Sequence, residues 1–196
     1  MAIKRTQPEH DQTYFCSFTC LNWIPLFDLT NLYDYIYNWF SLLNKKHQIT
    51  GFVIMPNHLH LLIHIREDKN NVNKILGNGK RFLAYEIVKR LKEAKQEDIL
   101  LTLENRVSID EKNRKKKHRV FEVSSDIKAC YHENFLLQKL NYIHNNPLKG
   151  KWKLVVTPEG YPHSSAAFYE LNTQHPHIKI VHYKDLGLLP TVETVQ

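Results

Sequence analysis

Ile49-Thr50-Gly51-Phe52-Val53-Ile54-Met55-Pro56-Asn57-His58-Leu59-His60-Leu61-Leu62-Ile63-His64-Ile65 contains two apolar runs parted by Pro-Asn. A proline at the second position of a turn presets φ, so the spacing predicts a hairpin of two strands, 49–55 and 58–65. The second run alternates strictly: Leu59, Leu61, Ile63 and Ile65 take one face, and His58, His60, Leu62 and His64 the other. Side chains two residues apart on a strand stand roughly 6.6 Å apart, near enough for two imidazoles to lean onto one cation. A half-exposed strand whose outer face happens to be rich in histidine is the alternative, in a chain holding 12 of them.

Outward from the hairpin, residues 13–20 are β-branched and aromatic and read as a first strand. Asp28 or Thr30 caps a helix running to about residue 46, with Leu32, Tyr35, Ile36, Trp39, Leu42 and Leu43 at helical spacing. A second helix covers 71–95, with Ile75, Phe82, Ile87, Val88 and Leu91 as its apolar stripe; Gly77-Asn78-Gly79 interrupts or starts it. Residues 96–118 are polar and charged, an insertion or flexible linker, and 120–123 is a candidate strand. Residues 133–145 form a helix that Pro147 must end. The order β-α-β-β-α-β-α predicts an α+β sandwich around a mainly antiparallel sheet. One domain over 1–170, carrying 96–118 as a variable basic insertion, is followed by a tail over 171–196 of no clear period.

The chain has 196 residues, 42% of them hydrophobic and 11% aromatic, enough for a packed core and too apolar for disorder. No run approaches ~18 apolar residues and the first residues lack the apolar stretch of a signal peptide, so a protein with no membrane association is expected. Three cysteines with no C-x-x-C pair fit a reducing cytoplasm. The net charge is +7, and Lys112-Asn113-Arg114-Lys115-Lys116-Lys117-His118-Arg119, with six Lys/Arg and no acid, accounts for nearly all of it. Such a cluster on a near-neutral domain suits a polyanion, most simply nucleic acid; a solvated loop that only aids solubility is the plainer reading.

On the helix over 133–145, Gln138, Tyr142 and Asn146 share a stripe at i−4, i and i+4, opposite Leu136, Leu140 and Ile143. Tyr142 is either a working side chain or an interfacial tyrosine whose hydroxyl is merely hydrogen-bonded. Asn146 precedes a proline and is pushed away from α geometry.

Three blocks now carry a resemblance. Residues 53–63 resemble the V-I-M-P-N-H-x-H-L-L block of single-tyrosine HUH transposases. Gln138-Lys139-Leu140-Asn141-Tyr142-Ile143-His144-Asn145-Asn146-Pro147-Leu148 resembles the Y-I-H-x-N-P block of their REP-associated branch, and Tyr161-Pro162-His163-Ser164-Ser165-Ala166 that branch's Y-x-x-S-S element. They stand in family order within residues 13–170. The resemblance implies a ferredoxin-like fold with the histidine strand central and the tyrosine helix lying across it. It implies Tyr142 as nucleophile, forming a 5′-phosphotyrosine, and His58, His60 and Asn146 as ligands of Mg²⁺ or Mn²⁺. Single-stranded DNA beside a hairpin is the implied substrate, in a bacterial cytoplasm at the nucleoid. Lys80, Arg81, Lys115, Lys116, Lys117, Lys149, Lys151 and Trp152 are the candidate DNA contacts, since cations with an aromatic suit phosphates and stacked bases. Family members act as homodimers, with tyrosine in trans, or as monomers in cis. The chain departs from the family after Asn-Pro, where Gly150-Lys151-Trp152-Lys153-Leu154 replaces a small apolar run, and His64 is not a standard ligand. A hairpin-DNA-binding protein that has lost transposition is the alternative. A histidine-triad nucleotide hydrolase would need histidine where Leu62 stands.

Overall fold

In a computed structural model describing residues 11–66, 71–150 and 152–186, the backbone forms β1 (Gln12–Thr19), β2 (Gln48–Ile54), β3 (His58–Ile65) and β4 (Asp126–Ala129). These pair in the order β2-β3-β1-β4, every neighbour antiparallel. The fold is α+β and ferredoxin-like, and β3 is an interior strand, hydrogen-bonded on both edges.

One sheet face meets α1 (Leu26–Leu29), α2 (Tyr33–Leu43), α3 (Val72–Glu93) and α4 (Glu97–Asn105). There Tyr14, Cys16, Phe18, Leu59, Leu61, Ile63 and Ile65 interlock with Ile36, Phe40, Leu83, Ile87 and Leu103 in the larger core. Each such aliphatic side chain, fully removed from water, contributes about 1.5–3 kcal/mol. The other face meets α6 (Glu133–His144), whose Leu136, Leu140 and Ile143 pack on Phe15, Val53 and Leu62. Gly51 permits that approach, because a Cβ there would lie 2.7 Å from Leu140 Cδ1. A register shift between Ile49 and Gly51 bends β2 at this point.

Several expectations change. The helix predicted from 28 or 30 to 46 is broken at Asn31, which has φ 45°, and ends at Leu43, where Asn44 Oδ1 accepts from Ile49 N–H at 3.0 Å. Leu42 and Phe82, assigned to buried stripes, are exposed. Gly77-Asn78-Gly79 neither starts nor interrupts α3; Gly79 lies within it because a Cβ would overlap the Trp39 ring. Residues 120–123 make only an isolated bridge, Phe121 to Cys20, and the fourth strand is the short polar β4 instead. The stretch 96–118 holds α4 and α5 (Ile109–Asn113), with Leu100 and Leu103 buried. Ser108 and Glu111 form a reciprocal capping box on α5, and Glu111 also binds Lys116 at 2.7 Å and pairs with Arg119. Those cations hold the Glu111 carboxyl down at about 2. The core does not stop at residue 170, since Ile178 and Ile180 join it beyond α7 (Ala166–Leu171).

Candidate active site

All eight residues of β3 are buried, so the histidines are not a solvent face. His64 is occupied elsewhere, with Nδ1 3.1 Å from Thr13 Oγ1 and Nε2 3.1 Å from Asp11 Oδ1. His58 and His60 stand together, ring centroids 4.9 Å apart. Phe15 stacks on His60 at 5.5 Å and 22°, and Trp23 meets His58 edge-on at 5.7 Å.

Asn146 reaches these rings because α6 ends at His144 and the chain tightens into a 3₁₀ turn, Asn146–Leu148, just before and through Pro147. Its Oδ1 lies 3.1 Å from His58 Nε2 and its Nδ2 3.3 Å from His60 Nε2. On the opposite side of His58, Nδ1 is 2.7 Å from Asn57 Oδ1, while Asn57 Nδ2 donates to the Trp23 carbonyl at 3.0 Å. Asn57 therefore presents an acceptor to His58, which places the imidazole proton on Nδ1.

Burial pushes the pKa of His58 down to about 4 and that of His60 to about 3, so both rings are neutral at pH 7. With Nδ1 protonated, His58 Nε2 is a bare lone pair facing another acceptor, Asn146 Oδ1. His60 accepts from Asn146 Nδ2, which leaves its proton on Nδ1, a buried atom with no hydrogen-bond partner among the described residues. Both Nε2 lone pairs thus converge on the Asn146 amide. Two imidazoles and a carboxamide oxygen are a donor set that Mg²⁺ or Mn²⁺ would accept. Among the described residues no three His, Cys, Asp or Glu gather as a metal cluster; the third group beside the two rings is the Asn146 carboxamide.

Tyr142 stands one helical turn before Asn146, its ring 5.1 Å from that of His60 and 6.2 Å from that of Phe15, and the residue is 47% exposed. Lys139, one turn earlier on α6, holds its Nζ 4.7 Å from the Phe15 ring centroid and 5.9 Å from that of Tyr142. A cavity of about 380 Å³ joins His58, His60, Tyr142 and Lys139 with Trp23 and Asp126. Lys139, Trp23 and Asp126 were not among the sequence candidates. Lys139 was readable, being three residues before Tyr142 on one helix face. Trp23 and Asp126 come from a loop and a short strand that only the fold brings here.

The Y-x-x-S-S element has a mechanical place. Ile54 N–H donates to His163 O at 2.8 Å and Ser165 N–H to Phe52 O at 3.0 Å, so the element lies along the outer edge of β2. Ser165 Oγ accepts from Phe52 N–H at 2.9 Å and lies 2.8 Å from His144 Nε2, which fastens the tyrosine helix to the sheet.

The remaining candidates are scattered. Lys80 Nζ donates to Glu122 O at 3.0 Å and Ser125 Oγ at 2.9 Å, and Lys116 is bound to Glu111. Arg81, Lys115, Lys117 and Lys149 are exposed, Trp152 is half-buried against the smaller core, and Lys151 lies outside the described residues. No described helix is long and apolar enough to cross a membrane.

No family model and no curated protein sequence matches the chain. It is similar to a solved structure of a REP-associated tyrosine transposase bound to a REP hairpin, with TM-score 0.51 and 15% identity over 84% of this chain and 82% of that one. With β3 central, α6 across it and the order β2-β3-β1-β4, the chain has the fold of a REP-associated tyrosine transposase.

Proposed function

We propose that the chain is a metal-dependent tyrosine transposase that nicks and rejoins single-stranded DNA beside a hairpin. The observation that carries this reading is the meeting of Tyr142 with two neutral imidazoles in one cavity of one chain, with the Asn146 carboxamide within 3.1 and 3.3 Å of their Nε2 atoms. A structural neighbour bound to a hairpin supports hairpin DNA as the ligand.

His58, His60 and Asn146 would hold Mg²⁺ or Mn²⁺, which when bound would supply Lewis-acid polarisation of the scissile phosphate. The phenolic oxygen of Tyr142 attacks phosphorus. A tyrosine O–P bond forms, the bond from phosphorus to the 3′-oxygen breaks, the phenol loses its proton and the 3′-oxygen gains one. The products are a 5′-phosphotyrosine and a free 3′-OH. The adduct keeps the energy of a phosphodiester, so a 3′-OH can reverse the step, which hydrolysis would prevent. Lys139 sets positive charge beside Tyr142, where the phosphate anion arrives. Asn57 fixes the His58 tautomer and Phe15 the plane of His60, so neither ring has to reorganise.

The test uses single-stranded oligonucleotides from the DNA flanking the gene, incubated with wild type or Tyr142→Phe in Mg²⁺ or Mn²⁺, and a denaturing protein gel. A slower covalent band is expected with wild type and is lost in the variant and with chelator. Tight hairpin binding that is indifferent to chelator, with no adduct on any strand, would overturn the nuclease in favour of a hairpin-binding protein.

A further inference from the structure

A second concavity, about 770 Å³, runs between α3 and residues 111–123. Seven Lys/Arg line it against two carboxylates, Glu111 and Glu122. Lys80 and Lys116 are already bound, but Arg81, Lys92, Arg114, Lys115 and Lys117 have no carboxylate within ion-pair distance among the described residues. The wall that carries most of them is not a loose loop. The Ser108–Glu111 capping box and the Glu111 pairs tie it together, and the bond from Arg119 N–H to Leu103 O at 2.9 Å fixes it to α4. On the facing wall Tyr85 is 67% exposed, an aromatic surface next to unneutralised cations.

The groove and the tyrosine cavity are lined by neighbouring residues of one chain segment. Glu122 and Val123 line the first and Asp126 the second. Glu122 also joins the two rims: its carbonyl accepts from Lys80 on α3, and its Oε1 accepts from Asn22 N–H at 2.8 Å. Asn22 and Trp23 follow each other at φ 52° and 58°, a left-handed pair held by Glu122 and Asn57. That turn stands Trp23 at the mouth of the cavity, beside His58, with its indole exposed. Cations without carboxylate partners and exposed aromatics at Tyr85 and Trp23 are what a flexible polyanion with stacking faces requires; a duplex would offer phosphates but no free base faces.

We propose that this groove carries the single-stranded continuation of the DNA cut at Tyr142, with phosphates on Arg81, Lys92, Arg114, Lys115 and Lys117 and bases stacked on Tyr85 and Trp23. The inference rests on the nuclease reading above and adds the path of the strand.

Fluorescence anisotropy over a salt series tests it, with two probes, an oligothymidine of about 20 nucleotides and a blunt DNA hairpin with no overhang. Charge reversal at three exposed sites together, Arg114→Glu, Lys115→Glu and Lys117→Glu, is expected to weaken oligothymidine binding about 10- to 100-fold and to reduce its log–log salt slope by about 2. Tyr85→Ala, at an exposed position, weakens the same probe about 5-fold or more. The blunt hairpin keeps its affinity within about 2-fold in all variants. Unchanged oligothymidine affinity and slope, with hairpin binding intact, would overturn the groove and leave the transposase reading standing. Equal weakening of both probes would also overturn it, making the groove a general polyanion surface. If the wild type binds neither probe, both readings fail together.

Discussion

On one side of β3, Leu59, Leu61, Ile63 and Ile65 meet α2 and α3; on the other, His58 and His60 meet Trp23, Phe15 and Tyr142 of α6, and His64 meets Thr13 and Asp11. Both sides are buried and both arise from one alternation of residue types. The apolar side gains stability with each side chain it removes from water. The polar side removes three imidazoles from water, keeps two of them neutral with lone pairs aimed at Asn146, and leaves His60 Nδ1 without a partner among the described residues. Burial therefore serves packing on one face and chemical poise on the other, and the second is a cost to folding.

The contrast can be broken most directly with neighbouring residues of β3. Leu61→Ala is expected to cost about 2–5 kcal/mol in urea unfolding, through lost transfer energy and the cavity left behind. His60→Leu, which replaces a buried ring with one orphaned nitrogen by an apolar group, is expected to leave the urea midpoint unchanged or higher while abolishing Mn²⁺-dependent adduct formation. A His60→Leu protein as destabilised as Leu61→Ala would mean the two faces do the same job.

A smaller effect sharpens the picture at the join between α6 and the sheet. Ser165→Ala strands Phe52 N–H and His144 Nε2, and is expected to cost about 1–3 kcal/mol by thermal or urea unfolding. It should also slow adduct formation, because α6 carries Tyr142 and leads into Asn146. Loss of stability with an unchanged adduct rate would separate the strap from the site.

The mildest expected effect is on pH dependence. His163, stacked on Tyr33 at 3.7 Å and bonded to Tyr37 Oη at 2.7 Å, has its pKa lowered by burial from 6.5 to about 4. Below 6.5 the unfolded chain takes up a proton that the folded chain refuses, so this share of stability is present above pH 6.5 and is lost as pH falls toward 4. The slope cannot exceed about 1.4 kcal/mol per pH unit, and half-exposure lowers it further. His163→Gln should flatten the fall in urea midpoint between those limits; an identical slope in the variant would assign the acid sensitivity to the other buried histidines.

What could be read from the sequence followed the strength of the local period. The alternation in 58–65 and the stripe of Leu136, Leu140 and Ile143 both place residues correctly, because each element buries a whole face. The stretch 96–118 hid two helices because Leu100 and Leu103 are its only buried leucines among many charges, although Ser108 and Glu111 already spelled a capping box. β4 was invisible because Asp126-Ile127-Lys128-Ala129 is short and polar, and is a strand only through its pairing with β1. Gly79 looked like a break because nothing local announces Trp39 as its neighbour. At the site, motif residues were legible while Trp23 and Asp126 were not, since their place there is a product of tertiary pairing rather than of spacing.

Tyr142 and Asn146 lie four residues apart on one helix and its terminal turn, above the histidines of the same polypeptide. On the proposed reading the ingredients of the reaction are counted once per copy, so a single copy would hold one nucleophile and keep only one severed end at a time. Under the proposed function, moving a stretch of DNA that must be released at two ends becomes a matter of stoichiometry: either two copies each hold one end, or one copy discharges its first end before it takes the second.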